Sequence, residues 1–345
     1  MLLQLSRSSS RVVSNQKIIT LFNRRTARAC GPFFVLLPTS VMEKFEITIL
    51  GCGSATPSPK HYTSSQVVEI RGKLFMVDCG EGTQIQLRRS RVAFARINHI
   101  FISHLHGDHC FGLLGMISSF GLLGRTAPMF VHAPQELEPM LTQELAFYCR
   151  DLEFQVEFQG FDPSKTAVIY DDRSLTVTTF PLKHRVPCAG FLFQEKATSD
   201  HLDRAAADFY GVPQWDYNRI KEGGDFTTAD GIVIPHDRLT KPADPGRSYA
   251  YCCDTAYNPS MIPVIKGATM IYHDCTYAGE DADRAKKHFH STATDAARTA
   301  VEAGAGKLML GHFSARYTDE SILLDEAQKT FPDTILAKEN LTVSI

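Results

Sequence analysis

The sequence predicts an α/β fold: a four-layer αββα sandwich, two sheets packed face to face under outer helices, with one inserted arm. Three observations predict it. Strands and helices fall into two broadly similar halves, each strand-rich at first and then mixed, as two helix-covered sheets require. Apolar runs in both halves end in His or Asp, which places one shared cleft at one edge of the sandwich. Residues 198–246 interrupt the second half with a polar stretch that reads as an insertion between core elements rather than a separate domain.

In chain order, "FEITIL" and "VVEIRGKLFMVD" read as strands, with Arg71-Gly72 as a hairpin turn. "CGEGT" is a glycine-rich turn and "TQIQLRRS" starts a helix. "INHIFIS" is a strand, and "CFGLLGMISSFGLLGR" has helical spacing with four glycines, hence a short helix packed close to backbone. "APMFVHAP" is a strand, and "QELEPMLTQELAFYC" is a helix with acids near its start. "LEFQVEFQ", "TAVIYDD", "SLTVTTFPLKH" and "AGFLFQEK" continue as strands. The insertion carries two short helical pieces, "DHLDRAAADFYG" and "PQWDYNRIKEGG". After it come the strand "SYAYCCDT", a helix from Pro259, the strand "ATMIYHDCTY", the helix "TATDAARTAVEAG", the strand "KLMLGH", a helix and a last strand near "LTVSI".

The 345 residues, formal charge of −2 and 43% hydrophobic content are those of a globular chain long enough for one large domain or two smaller ones. No run approaches eighteen consecutive apolar residues, so no membrane partner is expected. The charge balance excludes a chain that is basic all over, and a nucleic acid would have to be held by a local patch. Nine cysteines include no C-x-x-C pair, and they read as reduced, buried thiols of a cytoplasmic protein. Residues 1–41 have several Arg and Ser and no Asp or Glu, which fits organellar targeting or an upstream extension before "MEKFEITILG". The extension is the preferred reading. The segment is expected to be disordered, leaving residues 42–345 as the folded domain.

The chemistry concentrates in "HLHGDH". A lone His at a strand end is more often a hydrogen-bonded surface group than a ligand. His104, His106, Asp108 and His109 within six residues are different, because burying Asp108 beside imidazoles without an ion is costly. A divalent cation removes that cost, and a tight loop at Gly107 lets the side chains converge. Three further strand ends carry the same chemistry: His184, Asp254 and His312. Each alone reads as structural, and their shared context points to one metal cleft.

"HLHGDH" resembles the H-x-H-x-D-H signature of the metallo-β-lactamase superfamily. "LGCGSATPSPKHYTSS", "VDCGEGTQIQL", "ISHLHGDHCFGLLGMISSFGLLGR", "PLKHRVPCAGF", "CDT", "HSTATDAA" and "GHFSARY" together resemble the ribonuclease Z family, endoribonucleases that mature transfer RNA 3′ ends. The resemblance runs over nearly everything from Met42 onward. It implies two Zn2+ per subunit: one held by His104, His106 and His184, the other by Asp108, His109 and His312, with Asp254 bridging. The ligand types suit zinc, and the spacing is also compatible with manganese or iron. Asp108 would accept the proton of the attacking water. His290 would be the general acid, oriented by Asp274, where the family more often has Glu; the alternative for His290 is a histidine in the N-cap region of the next helix. His288 reads as solvent-facing.

Asp78 reads as an acceptor behind a metal-binding His. "CGEGTQ" is either a phosphate cradle or a tight turn supporting the metal loop. Arg88, Arg89, Arg91 and Arg96 are either a solvated helix face or an RNA contact. The insertion at 198–246 stands where the family carries its flexible arm, but Asp and Glu are at least as numerous there as Lys and Arg. Trp215 and Tyr217 would stack on nucleotides or pack the arm against its base. The implied reaction is zinc-dependent removal of the 3′ trailer from precursor tRNA, leaving a tRNA 3′-hydroxyl and a trailer 5′-phosphate. The implied assembly is a homodimer whose arm reaches RNA held in the partner's cleft. Two alternatives compete: a small-molecule phosphodiesterase of the same fold, and a non-catalytic RNA-binding scaffold.

Overall fold

A computed structural model of the chain describes residues 43–345, so the readings placed on residues 1–41 lie outside the described residues. Strands β1 (Phe45–Gly51), β2 (Ser65–Ile70) and β3 (Lys73–Val77) form an antiparallel meander. Arg71 and Gly72 turn the β2–β3 hairpin with φ of 48° and 76°, the two left-handed positions of a type I′ turn. Helix α1 (Thr83–Ser90) leads to β4 (Ile97–Phe101), then α2 (Gly107–Cys110) and α3 (Leu113–Leu122), β5 (Met129–Pro134), α4 (Leu137–Tyr148) and β6 (Val156–Phe161). From β3 to β6 the pairing is parallel.

The second sheet starts with the antiparallel strands β7 (Ala167–Asp171), β8 (Leu175–Pro181) and β9 (Ala189–Glu195). The insertion follows. It contains β10 (His201–Leu202), α5 (Arg204–Phe209), α6 (Tyr217–Lys221), β11 (Phe226–Thr227), β12 (Val233–Ile234) and β13 (Thr240–Lys241). The sheet resumes with β14 (Ser248–Cys252) and β15 (Met270–Asp274), separated from β16 (Lys307–Gly311) by α7 (Ala282–His288) and α8 (Ala293–Ala303). Helix α9 (Ser321–Gln328), β17 (Thr334–Leu336) and β18 (Thr342–Ser344) complete the described chain.

Each main sheet has seven strands, in the orders β18-β1-β2-β3-β4-β5-β6 and β17-β16-β15-β14-β9-β8-β7. Strand alternation sorts the side chains between layers. On β3, Phe75 and Val77 join the core between the sheets, with Ile47 and Ile49 of β1 and Phe191 and Phe193 of β9. The intervening Leu74 and Met76 face the other way, into a second cluster with Leu87 of α1, Met116 and Phe120 of α3 and Leu141 of α4. Helix α8 covers the second sheet with Ala293, Ala296, Ala297, Ala300 and Ala303, all buried, and starts on a Thr292/Asp295 capping box. The αββα order is therefore produced by period-2 strands between amphipathic helices.

Several boundaries differ from the sequence reading. The helix expected from Pro259 is one 3-10 turn, Pro259–Met261, started by Asn258 accepting from Ser260 N. Strand β6 starts at Val156 rather than Leu152. Helix α7, strand β17 and the four short strands of the insertion carry too little periodicity over too few residues to be read from sequence. The eight cysteines among the described residues are free, and six of them are buried. Among the described residues no helix is long and apolar enough to cross a membrane.

Candidate metal centre

The C-terminal ends of strands from both sheets meet at one edge of the sandwich. From the first sheet, β3 runs into Asp78 and β4 into His104, His106, Asp108 and His109, the last two on the single turn of α2. From the second, β8 leads to His184, β14 to Asp254 and β16 to His312, while Asp274 is the last residue of β15. Of these, His106, Asp108, His184, Asp254 and His312 line a cleft of about 540 Å³ with Ala55, Glu81, Phe111, Arg185, Tyr277 and His288 at its walls.

Asp254 stands at the centre. Its Oδ2 lies 3.6 Å from His104 Nε2 and 3.5 Å from His184 Nε2. His106 Nδ1 is 3.0 Å from the former nitrogen and 3.2 Å from the latter. Asp254 Oδ1 faces the other way, 3.2 Å from His109 Nε2 and 3.0 Å from His312 Nε2. Asp108 Oδ2 is 3.6 Å from each of those two nitrogens. Two adjacent groups thus share one carboxylate: His104, His106 and His184 with Asp254 lie within 4.8 Å of one another, and so do His109 and His312 with Asp254 and the Cys253 thiol, with Asp108 just outside.

The outer nitrogens of four of the five imidazoles are engaged. His104 Nδ1 meets Ser103 Oγ at 3.0 Å, His109 Nδ1 meets Asp78 Oδ2 at 2.7 Å, His184 Nδ1 meets the Phe289 carbonyl at 3.1 Å and His312 Nδ1 meets Thr276 Oγ1 at 3.0 Å. That leaves the inner nitrogens to the centre, the arrangement that fixes metal-ligating imidazoles. Asp78, itself buried, also accepts from Ser103 N and Oγ and from Tyr251 Oη. It is thus a shared acceptor behind His109 and beside His104.

Electrostatics favour a cation here. Burial pushes His104, His106 and His184 down, toward the neutral form that offers a lone pair. Burial also opposes the charged forms of His109 and His312, but the Asp254 carboxylate overcomes it and holds both up, His312 to about 10. The inner nitrogens of His109 and His312 are buried without a hydrogen-bond partner. They face carboxylate oxygens at 3.0–3.6 Å without hydrogen-bond geometry, a donor set that a metal ion satisfies. The residues present therefore fit metal ions.

The backbone is strained where the site needs it. Asp78, Asp254 and His312 adopt left-handed φ of 56°, 62° and 61°. Glycines close the floor beneath them. A Cβ on Gly80 would lie 2.2 Å from Thr63 Oγ1 and 2.4 Å from the Asp108 carbonyl, and one on Gly112 would lie 2.1 Å from the Gly80 carbonyl. Cys79 N donates to the His109 carbonyl and Gly112 N to the Cys79 carbonyl. The "CGEG" turn thus packs directly under the loop of His104–His109, as a supporting turn does.

His290 lies on the same wall. Its Nδ1 meets Asp274 Oδ2 at 2.7 Å, and its ring stacks on His312 with centroids 5.2 Å apart. The helix cap next to it is Thr292, so His290 has no capping role. His288 is exposed at the cleft rim. Arg88, Arg89, Arg91 and Arg96 are exposed, with Arg89 donating to Tyr62 Oη and Arg96 to the Gly72 carbonyl. Sequence reading missed Ser103, Thr276 and Tyr251, whose hydroxyls orient the site, and the Ala55 amide, which donates to Asp108 Oδ2 at 2.8 Å. The one signal for the threonine was its place two residues after Asp274.

A family model described as anti-Pycsar protein Apyc1 matches residues 45–201, less than half of the chain. Over 304 residues the chain is 58% identical to ribonuclease Z of Bacteroides fragilis, covering 88% of this chain and 100% of that one. It is 56% identical to ribonuclease Z of Bacteroides thetaiotaomicron, with 88% and 96% covered. The crystal structure of human tRNase Z, short form, superposes with a TM-score of 0.63 at 25% identity, over 87% of this chain and 99% of that one. A metallo-β-lactamase fold protein from Bacillus subtilis shares the fold, with a TM-score of 0.62 at 18% identity and coverage of 88% and 100%. With the paired ligand groups at the sheet edges and this similarity over nearly the whole described chain, the protein belongs to the ribonuclease Z family.

Proposed function

We propose that the chain is a zinc-dependent endoribonuclease that cleaves the 3′ trailer from precursor tRNA, leaving a 3′-hydroxyl on the tRNA and a 5′-phosphate on the trailer. The observation that carries this reading is Asp254, whose two carboxylate oxygens face two separate groups of ligand atoms. His104, His106 and His184 would hold one Zn2+; Asp108, His109 and His312 would hold the other; Asp254 would serve both. When bound, such a pair supplies Lewis-acid chemistry: it offsets the charge growing on the phosphoryl oxygens and lowers the pKa of an attacking water.

The chain's own residues do the rest. Asp108, fixed by the Ala55 amide, accepts the proton of the attacking water. His290 gives its proton to the departing 3′ oxygen, and Asp274 keeps that imidazole charged and aimed. Arg185 on the cleft wall offers a cation to the phosphodiester backbone. Residues 198–246 form the tRNA-gripping arm. Trp215 and Phe209, 80% and 82% exposed, would stack on bases, whereas Tyr217 packs against the insertion's own small core. A homodimer would present each arm to RNA in the partner's cleft.

The test is incubation of the purified chain with a 3′-extended tRNA, with and without a chelator, and mapping of the cut. Expected is one cut at the trailer junction with a 3′-hydroxyl on the tRNA, abolished by chelation and restored by zinc. In the same assay Asp108→Ala should cost at least about 10²-fold in rate. Cleavage that survives chelation, or binding of tRNA with no turnover, would overturn the reading.

A further inference from the structure

Outside the cleft, a second group of ligand-type side chains joins three distant parts of the chain. Cys52 follows β1, His61 lies in the loop before β2, and Glu339 lies just before β18. Cys52 Sγ is 3.4 Å from His61 Nδ1 and 3.7 Å from Glu339 Oε1, and His61 Nδ1 is 3.1 Å from both Glu339 oxygens. Cys52 is fully buried, and the His61 and Glu339 side chains are 11% and 12% exposed. The other nitrogen of His61 meets Glu320 Oε1 at 3.2 Å, and Lys60 pairs with the far oxygen of Glu320.

We propose that Cys52, His61 and Glu339 form a third divalent metal site, of a structural kind, with Glu320 orienting His61 from behind. A thiolate, an imidazole and a carboxylate are a ligand set that suits zinc. In a tetrahedral shell with ordinary zinc bond lengths, ligand atoms stand about 3.3–3.6 Å apart. The three separations here, 3.1, 3.4 and 3.7 Å, straddle that range. A carboxylate on the outer nitrogen of a ligating His is the usual support of such a site.

The alternative, a protonated His61 clasped between two glutamates, gives the sulfur only a long thiol hydrogen bond to Glu339 Oε1 at 3.7 Å. A single Nδ1–H would then face three acceptor atoms: the Cys52 sulfur and both Glu339 oxygens. Without a metal, burial pushes the Cys52 thiol up, and Glu339 pushes it further, so the sulfur would stay protonated and inert. A divalent ion replaces the proton of Cys52 and the Nδ1 proton of His61, both released to solvent, so the local net charge is unchanged on loading. The ion would tie the end of β1, the His61 loop and the approach to β18 together. Through Cys52 it would also brace the metal loop, because Phe313, next to His312, donates its amide to the Cys52 carbonyl, and Ser54 N donates back to the Phe313 carbonyl.

The test uses the full chain and reads metal content and cobalt spectra, so it does not depend on activity or on the cleft. Expected by elemental analysis is one more zinc per chain in the parent protein than in Cys52→Ala. Expected in the cobalt-loaded parent is a thiolate-to-metal charge-transfer band, retained in Cys253→Ala, which alters the thiol beside Asp254, and lost in Cys52→Ala. Glu339→Gln should lower the affinity for this cobalt while keeping the fold, as read by circular dichroism. A cobalt-loaded parent with no such band would overturn the site even if every variant failed to fold. Equal zinc content in the parent and a folded Cys52→Ala would do the same and leave the cluster an ion pair.

Discussion

Asp274 is fully buried yet accepts four hydrogen bonds: from the amides of Thr255 and Thr276, from Thr276 Oγ1 and from His290 Nδ1. The first three hold the carboxylate still, and the fourth turns His290 so that its other nitrogen is free toward the cleft. Burial disfavours a charged His290, and Asp274 outweighs that and raises its pKa above the ordinary value, so the imidazole carries a proton to give. A general acid matters only where the leaving oxygen needs a proton. His290→Ala should therefore lower kcat on precursor tRNA by about 10²- to 10⁴-fold. It should slow hydrolysis of bis(p-nitrophenyl) phosphate far less, because a nitrophenolate departs unprotonated. Equal losses on both substrates, at unchanged metal content, would show that His290 holds structure rather than a proton. Asp274→Asn should follow the same pattern more weakly, since the amide still positions the ring but no longer favours its charge. The sequence made the pairing of His290 with Asp274 visible only through family resemblance; the 2.7 Å contact is made by residues 16 positions apart, and no local periodicity encodes it.

At the scale of elements, strand ends that were legible and strand partners that were not explain each other. "HIFIS", "SYAYCC" and "KLMLG" announce themselves as buried strands by composition, and the polar residue after each marks the edge where the strand leaves the core. Which strand lies beside which depends on pairings hundreds of residues apart, such as Glu46 with Ser344, and nothing local specifies them. The left-handed turns at Asp78, Asp254 and His312 were likewise hidden, because only the folded sheet edge demands them. The insertion shows the same logic. Its strands are two residues long and its core is small, comprising Ala207, Val212, Ile220, Phe226, Ile234 and Leu239, separate from the two main clusters. It leaves and re-enters between β9 and β14, which are antiparallel neighbours with Gln194 opposite Ser248. Replacing 198–246 by a short turn therefore leaves an ordinary hairpin. That deletion should keep zinc content and the rate on bis(p-nitrophenyl) phosphate within about two-fold, since it removes no ligand, while tRNA cleavage falls by several orders of magnitude as the stacking and charge contacts of the arm go, each stacked base being worth about 1–3 kcal/mol. Loss of both activities together would mean that the insertion supports the fold, and retention of both would mean that the substrate is small.

Over the whole molecule, each sheet supplies part of each proposed ligand group. His104 and His106 come from the first sheet and His184 from the second; Asp108 and His109 come from the first and His312 from the second. The centre is therefore only as well formed as the seam between the sheets. The opposite pairing of the sheets, antiparallel on one side and parallel on the other in both, was foreshadowed in the sequence by two similar halves, but the seam itself rests on contacts no pattern predicts. One of them is Arg247, just before β14. Its guanidinium takes both oxygens of Glu195 at 2.9 and 2.8 Å and also reaches the carbonyls of Ile345 at 2.9 Å and Glu43 at 2.7 Å, the residues flanking β18 and β1 of the other sheet. The Glu195 side chain is 3% exposed. Burial alone would raise its pKa, and the bonds from Arg247 reverse that and hold it below the ordinary value. A depressed carboxylate contributes stability above its unfolded pKa and loses it as pH falls through the folded value. Arg247→Met should accordingly lower unfolding free energy at neutral pH by about 2 kcal/mol, the loss of charge-assisted bonds softened by Arg71, which also pairs with Glu195 at 3.3 Å. In acid the gap between parent and variant should narrow, because Glu195 becomes protonated in both. Urea titrations of the two proteins at neutral pH and below the ordinary carboxylate pKa read this directly. A gap that stays constant across the two pH values would show that Arg247 acts through packing on Phe45, whose ring lies 5.6 Å beneath it, and not through the ion pair that joins the sheets.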